Sequence, residues 1–178
     1  MLLSRKFYNQ KTLQAAQNLL GCFLVREIKN KIIRAMITDV EAYVGEDDLA
    51  SHASKGRTPR TEIMYGEAGH AYVYLVYGMH HVMNIVTEKK DFPAAVMLRG
   101  VKIENIDYAR TNGPGKLCKV LQIDRQLNGW DLTKGEKLWI EKGEQIKKEN
   151  IKTGPRIGID YAQHCKHYLW RFYVEVDK

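Results

Sequence analysis

The stretch TDVEAYVGEDDLASH, residues 38–52, places carboxylates and a histidine within and after an apolar strand pattern. If residues 37–43 form a strand, side-chain alternation puts Asp39, Glu41 and Tyr43 on one face. Glu41 would then have an aromatic neighbour and an apolar sheet behind it. Because partial burial raises the pKa of a carboxylic acid and a strand fixes its direction, Glu41 is a candidate general base that activates water. The alternative is an ion-paired glutamate on an edge strand.

The other polar residues of this stretch have less specific interpretations. Glu46, Asp47 and Asp48 are typical of a turn and of a helix N-terminus. His52 could bind a metal ion or donate a hydrogen bond to a ligand, but this stretch alone favours a structural histidine. Clustered carboxylates can hold divalent ions, so a metal-dependent nuclease that uses Glu41, Asp47, Asp48 and His52 is an alternative.

A run of aromatic residues forms a second candidate site, in GHAYVYLVYGMHHVMNI, residues 69–85. Tyr72, Tyr74 and Tyr77 crowd one predicted strand and its turn. Tyrosines are common in strands, so a structural role is one interpretation. Beside a turn in a basic protein, they also suit base stacking or insertion into a duplex. A non-catalytic DNA-binding module, with a structural Glu41, is therefore a further alternative.

The charge balance favours a polyanionic partner. The chain has 28 Lys and Arg against 21 Asp and Glu, a net charge of +7, which suits nucleic acid or an anionic membrane. Arg57 and Arg60 in GRTPR, and Lys116 in GPGK at a predicted helix start, could contact phosphates, although solvated basic surface is the alternative. Leu117 follows Lys116 where a Walker A loop needs Ser or Thr, which excludes that class of nucleotide triphosphatase.

The elements that must position these residues follow from hydrophobic patterning. Helical spacing predicts a helix over residues 12–20 with Gly21 as its C-cap, and a short helix over 113–123. The loss of periodicity from Gly45 to Gly69 predicts a long ordered loop of functional importance. Strands are predicted over residues 22–28, 31–44, 71–77, 81–88, 94–103, 137–143 and 169–176. Because helices and strands do not alternate as in βαβ units, the pattern indicates an α+β fold with a mainly antiparallel sheet.

Length and composition indicate one domain in a soluble, intracellular protein. The 178 residues contain no repeat or linker, and the three cysteines, Cys22, Cys118 and Cys165, lack the spacing of a disulfide framework or a zinc ribbon. No apolar run approaches the roughly 20 residues that cross a bilayer, and the N-terminus lacks the apolar region of a signal peptide. We therefore expect no membrane association, and a cytoplasmic, nucleoid location if the source is bacterial.

Six segments, taken in order, resemble the alkyladenine-type 3-methyladenine DNA glycosylases: VEAYVGEDDLASH, GRTPR, MYGEAGHAYVYLVYGMHHVMNIV, AAVMLR, GPGKLC and GPRIGI. The resemblance spans most of the chain. It implies a single mixed domain over residues 1–178, without an N-terminal extension. That domain would have a mainly antiparallel curved β-sheet, surrounding helices and a protruding aromatic β-hairpin. It also implies a monomeric repair enzyme without metal or cofactor, which flips damaged purines from double-stranded DNA and hydrolyses the N-glycosidic bond.

The resemblance also implies roles for residues in catalysis. Glu41 matches the general base that activates the attacking water. Arg99 in MLRG matches the arginine near that water and the target phosphate. The main-chain carbonyl of Ile157 in GPRIGI matches a further ligand of the water.

For substrate recognition, the resemblance implies that Tyr43 and Tyr74 are the aromatic walls that sandwich the flipped purine. His52 matches the group that hydrogen-bonds the purine edge. Asn84 matches the side chain that crowds a 2-amino group and so disfavours guanine. Tyr77 matches the residue that intercalates into the duplex. The resemblance does not rank methylated, deaminated and etheno purines as substrates.

Overall fold

The computed structural model describes residues 1–176, which form a mixed α+β fold around an antiparallel sheet. The last two residues of the predicted domain, 177 and 178, lie outside the described part. The strands are β1 (Phe23–Ile28), β2 (Lys31–Val44), β3 (Ala71–Val76), β4 (His80–Val86), β5 (Ala94–Ile103), β6 (Leu138–Glu141), β7 (Lys152–Gly154) and β8 (Arg171–Tyr173). The α-helices are α1 (Arg5–Tyr8), α2 (Thr12–Leu19) and α3 (Pro114–Val120). The predicted fold class is confirmed.

Strand β2 is the longest strand and carries Glu41. The sheet has the order β3-β4-β5-β2-β1-β6, and β8 joins β2 to β7. On one side, β2 pairs with β5 from Ala35 to Val44. On the other side, the first half of β2 pairs with β1, and residues 39–41 pair with β8. The second half of β2 therefore has a strand on both edges, which restrains the side chains that it carries.

The helices cover the apolar face of the sheet. Helix α2 buries Thr12, Ala15, Ala16 and Leu19, and the three apolar residues among them belong to the main core cluster. The C-cap of this helix is Leu20 and not the predicted Gly21, which follows with a φ of 82° and donates its N–H to the carbonyl of Ile37 in β2. All three cysteines are free and buried, as expected of inert thiols.

The strands β3 and β4 form a hairpin whose turn is exposed. Val76 pairs with His80, so residues 77–79 form the connection. Tyr77 is 87% exposed and Met79 is 72% exposed, although both are large and apolar. An exposed aromatic side chain therefore lies at the predicted position, while its insertion into DNA stays a prediction.

Three predicted elements are at least three residues shorter in the structure, and one of them is the strand predicted over 137–143, which is observed as β6 (Leu138–Glu141). The helix predicted over 113–123 ends at Val120, because Gln122 has a φ of 49° that cannot continue a right-handed helix. The strand predicted over 169–176 is reduced to β8, whose neighbours β2 and β7 each supply three paired residues. The elements α1 and β7 escaped prediction, since four and three residues are too few to show a period.

The long loop from Gly45 to Gly69 contains two short 3-10 helices, His52–Lys55 and Glu62–Tyr65. Ser51 is the N-cap of the first of these helices, and its side chain accepts a hydrogen bond from the amide of Ala53. This loop is thus ordered, as predicted. No helix within residues 1–176 combines the length and the apolar character required to cross a membrane.

Candidate active site

A cavity of about 460 Å³ opens between the second half of β2, the β3–β4 hairpin, β5 and two loops. Eight of the predicted site residues line it: Tyr43, His52, Arg60, Tyr74, Tyr77, Asn84, Arg99 and Ile157. Glu41 lies behind this lining with no exposed surface. Tertiary folding therefore brings together residues that the sequence spreads over more than 100 positions.

Glu41 is held by neighbours that themselves line the cavity. The Tyr43 hydroxyl donates a hydrogen bond of 2.8 Å to Oε2, and the backbone N–H of Ile157 donates one of 2.8 Å to Oε1. Nε of Arg99 lies 3.3 Å from Oε1 as an ion pair. The carboxylate is therefore fixed in direction, and all three of its contacts come from residues that line the cavity.

The environment shifts the pKa of Glu41 upward. Burial is the largest cause, and it is opposed in decreasing order by the charge of Arg99, the N–H of Ile157 and the hydroxyl of Tyr43. A carboxylic acid with a raised pKa is a better acceptor of protons near neutral pH. The expected burial behind an apolar sheet is thus present, together with donors that orient the charged form.

Ile157 contacts Glu41 through a different group from the one predicted. The resemblance assigns its main-chain carbonyl to the attacking water, whereas the contact that the structure contains is a hydrogen bond from its N–H to Glu41. The two are compatible, because the N–H and the carbonyl of one residue belong to consecutive peptide units and can bind different partners. The role of the carbonyl stays a prediction.

His52 lies against the aromatic residues of β3. Its Nδ1 shares a hydrogen bond of 2.9 Å with the Tyr72 hydroxyl, and its ring centroid is 4.6 Å from that of Tyr74. The pKa of His52 is lowered to about 4 by burial, and further by the positive charges of Arg60 and Lys55. His52 is therefore neutral near pH 7, so that one ring nitrogen donates and the other accepts hydrogen bonds.

Asn84 and Arg60 also line the cavity and have defined contacts. Asn84 is buried on β4, and its Nδ2 donates to the carbonyl of Tyr72 over 3.1 Å. The guanidinium of Arg60 lies 5.1 Å from the ring centre of Tyr74. Asn84 thus has a fixed orientation at the cavity wall, which a residue that discriminates by steric fit requires.

Arg57 and Lys116 do not line the cavity. Arg57 is engaged by Glu62 and Asp91, at 2.7 and 3.0 Å, and lies over the ring of Tyr65. Nζ of Lys116 donates to the carbonyl of Ala109 and to the side chain of Asn112. Their contacts with phosphate stay predictions, and Arg57 would have to share its charge with two carboxylates.

Sequence reasoning missed the buried ion pair between Asp48 and Arg156. The two side chains are unexposed, and Nη1 of Arg156 lies 2.5 Å from Oδ2 of Asp48. Asp48 was interpreted only as a turn or helix N-terminal residue, and Arg156 received no role although GPRIGI contains it. Only the position of Arg156 next to Ile157 could have indicated its importance.

The predicted metal ligands of the nuclease alternative do not converge. Within residues 1–176, no three His, Cys, Asp or Glu side chains form a group able to hold a metal ion. Both oxygens of Asp48 bind Arg156, while Glu41 and His52 make separate hydrogen bonds with tyrosines. The described part of the chain thus offers the nuclease alternative no support.

Comparison with known proteins shows the family of this chain. The model of the methylpurine-DNA glycosylase family matches residues 6–178. A predicted 3-methyladenine DNA glycosylase of Methanocella arvoryzae is 44% identical over 185 residues, which cover 97% of this chain and 92% of that protein. A relative with the same name from Clostridium perfringens strain SM101 is 40% identical over 100% of this chain and 98% of its own length. Another from Desulfitobacterium hafniense strain Y51 is 42% identical over 97% of this chain and 95% of its own length. The chain therefore belongs to the methylpurine-DNA glycosylase family.

Proposed function

We propose that the protein is a monofunctional DNA glycosylase that flips a damaged purine out of duplex DNA and hydrolyses its N-glycosidic bond with water activated by Glu41. Family membership supports the reaction class, hydrolysis of an N-glycosyl bond. The observation that carries the proposal is the buried, oriented carboxylate of Glu41 directly behind a cavity lined by aromatic side chains. The proposed partner is double-stranded DNA that contains damaged purines, and the protein acts as a monomer.

The cavity suits a flipped purine. Its volume of about 460 Å³ is typical of a small-ligand site. Tyr43 and Tyr74 line it, and stacking on an aromatic side chain contributes ~1–3 kcal/mol per base. Flipping costs a few kcal/mol and least for damaged bases, so stacking offsets most of that cost. Asn84 would crowd a 2-amino group and exclude undamaged guanine.

Hydrolysis then requires one base and no covalent enzyme intermediate. Water attacks the sugar carbon C1′ while the bond to the purine nitrogen breaks and its electron pair leaves with the base. Glu41 accepts the proton of the water and stabilises the positive charge that develops on the sugar. Arg99, which lines the cavity beside Glu41, holds the target phosphate, while the Ile157 carbonyl orients the water. The products are the free base and an abasic site.

Leaving-group activation depends on the lesion. Methylated purines that carry a positive charge leave as neutral bases and need no proton. Neutral lesions such as hypoxanthine and ethenoadenine gain from protonation, which we assign to solvent. His52 is not the donor, because its lowered pKa of about 4 leaves it neutral near pH 7. Its neutral ring instead provides hydrogen bonds to the purine edge.

The surface around the cavity supports DNA binding. Tyr77 projects from the β3–β4 turn and fills the gap that the flipped nucleotide leaves. Arg60 lines the cavity and has no ion-pair partner within residues 1–176, so it is available to a phosphate. Lys116 and Arg57 contribute farther from the cavity, Arg57 while still paired with Glu62 and Asp91.

The decisive experiment measures free base released from duplexes that carry a single lesion. Methylated, deaminated and etheno purines are incubated with the protein in single-turnover conditions, with and without EDTA, and the bases are identified by mass spectrometry. We expect release that EDTA does not reduce, and no enzyme–DNA adduct after borohydride treatment. Release that needs a divalent metal ion, or a trapped adduct, contradicts the hydrolytic mechanism.

Two variants test whether Glu41 is the general base. Glu41→Gln should lower the single-turnover rate at least ~100-fold, the usual effect of a general base, while lesion DNA still binds. Glu46→Gln is the matched control, because this exposed carboxylate on the following loop accepts a hydrogen bond from the Tyr65 hydroxyl and does not line the cavity. If wild-type protein binds lesion duplex yet releases no base, the protein is the non-catalytic binding module instead.

A further inference from the structure

We propose that Arg156, through its ion pair with Asp48, is a positioning residue that sets the ring of Tyr43 and the Ile157 N–H against the carboxylate of Glu41. This inference rests on the proposed function, since it concerns the same site. Arg156 does not line the cavity, so its effect on the reaction passes through other residues. The following contacts carry the inference.

The ion pair is bidentate and anchors the loop that follows β2. Nη1 and Nη2 of Arg156 lie 2.5 and 2.8 Å from the two oxygens of Asp48. The same carboxylate accepts hydrogen bonds from the amides of Val44 and Ala50, at 3.2 and 3.1 Å. Asp48 thereby connects the guanidinium to the end of β2 and to the start of the loop that carries His52.

The guanidinium also binds two backbone carbonyls. Nη1 donates to the carbonyl of Ala42 over 2.9 Å, and Nη2 donates to that of Cys165 over 3.2 Å. Ala42 lies between Glu41 and Tyr43 on β2, and Cys165 belongs to the 3-10 helical segment Asp160–His167. One side chain therefore joins the catalytic strand to two segments that are remote in sequence.

The plane of the guanidinium supports the aromatic wall. Cζ of Arg156 lies 4.8 Å from the ring centre of Tyr43 and 5.1 Å from that of Trp170. Because Tyr43 lines the cavity and Arg156 does not, the guanidinium contacts the ring from the protein side. The cavity side of the Tyr43 ring is thus left for the purine, and its hydroxyl is directed at Glu41.

Arg156 acts on Glu41 through charge as well. The charged and titratable groups that act on the Glu41 carboxylate or are acted on by it are Arg99, Tyr43, Asp39, Arg171, Arg156 and Tyr161. Of the three cations, only Arg156 is paired with a buried carboxylate other than that of Glu41, and Arg156 also precedes the donor residue Ile157 in sequence. Its positive charge favours the ionised form of Glu41, and Asp48 attenuates that effect.

Stability alone does not account for this pair. A buried ion pair gains little over apolar residues of similar size, because desolvation opposes the Coulomb attraction. Nε of Arg156 is buried and has no hydrogen-bond partner within residues 1–176, which further reduces the stabilisation. This ion pair contributes little to stability, yet Arg156 contacts both Tyr43 and the strand that carries Glu41. A positioning role explains this arrangement better than a stabilising role.

The test uses three variants of the full chain and one control. Arg156→Lys keeps the charge but cannot make the four contacts of the planar fork. Arg156→Gln removes the cation, and Asp48→Asn removes its counter-charge. Arg5→Lys is the control, because Arg5 likewise joins a carbonyl, that of Ala68, to a carboxylate, that of Asp131, far from the cavity.

Each protein is measured in three ways: by circular dichroism with thermal melting, by single-turnover base release from lesion duplex across pH, and by a carboxyl-carbon NMR titration of Glu41. We expect Arg156→Lys to fold and to release base about 10- to 100-fold more slowly, because a small misplacement of the site residues lowers the rate. The acid limb of its pH–rate profile, where the rate falls with decreasing pH, should remain as in the wild type. The acid limb and the Glu41 titration should move to higher pH in Arg156→Gln and to lower pH in Asp48→Asn. Arg5→Lys should match the wild type.

Several results overturn the inference. Wild-type rates in folded Arg156→Lys would show that the fork does not position the site. Equal slowing of Arg156→Gln and Asp48→Asn without opposite pH shifts would show a structural role only, as would failure of all three variants to fold. If the wild type releases no base, the proposed function fails, while the NMR titration still decides whether Arg156 controls the ionisation of Glu41.

Discussion

The exposed turn of the β3–β4 hairpin allows DNA distortion to be separated from bond cleavage. Tyr77 is 87% exposed and has a φ of 52°, so its side chain adds little to the fold while its backbone is strained. Tyr77→Ala should leave the melting temperature nearly unchanged and lower base release from fully paired lesion duplex. The reason is that the ring no longer fills the gap that the flipped nucleotide leaves.

The size of the effect follows from the stacking that is lost. Removing an aromatic residue that stacks on a base costs ~1–3 kcal/mol, which corresponds to about a 5- to 160-fold fall in the flipped fraction. A second variant, Tyr77→Gly, should lose the same activity but gain stability. A left-handed conformation costs a non-glycine residue about 1–2 kcal/mol, and glycine relieves this strain. Glycine also increases the entropy of the unfolded chain, which offsets about 0.5–1 kcal/mol of the gain in stability.

The assay compares single-turnover base release from paired duplex, from duplex with a mispaired lesion and from single strands, with melting curves for each variant. The defect should be confined to the paired duplex, where unstacking is the obstacle. Met79→Ala is a matched control at the same turn, since this side chain is also exposed but cannot stack as a ring. Equal loss on all substrates, or a large fall in melting temperature, would assign Tyr77 to the fold or to the cavity and refute the reasoning.

Three further predictions concern the cavity. Glu41→Gln should raise the melting temperature near pH 8, because burial raises the pKa of Glu41 and its ionised form therefore destabilises the folded state. A lower melting temperature would show that the ion pair with Arg99 outweighs the cost of desolvation. The lowered pKa of His52 predicts that stability falls as pH decreases from the unfolded value of about 6.5 to about 4, and His52→Gln should remove this part of a chemical-denaturation profile. Asn84→Ala should increase release of methylated guanine relative to hypoxanthine in competition assays, and an unchanged ratio would exclude steric discrimination at Asn84.

The alternating patterns of the chain were sufficient to predict every strand except the three-residue β7, and the local placement of Glu41. Side chains two positions apart on a strand share a face whatever surrounds them, so the Tyr43 hydroxyl was expected near Glu41 and lies 2.8 Å away. The motifs likewise indicated the family and eight of the residues that line the cavity. These are local properties, encoded by spacing and residue type within one segment.

Only the tertiary structure showed which contacts between distant groups complete the site. Ile157 reaches Glu41 across 116 positions, and Arg156 reaches Asp48 across 108. It also determined that Arg57, predicted to meet phosphate, is paired with Glu62 and Asp91. Such partners are chosen when packing of the core brings segments together and buried polar groups must find hydrogen bonds, and periodicity within a segment carries no information about that choice.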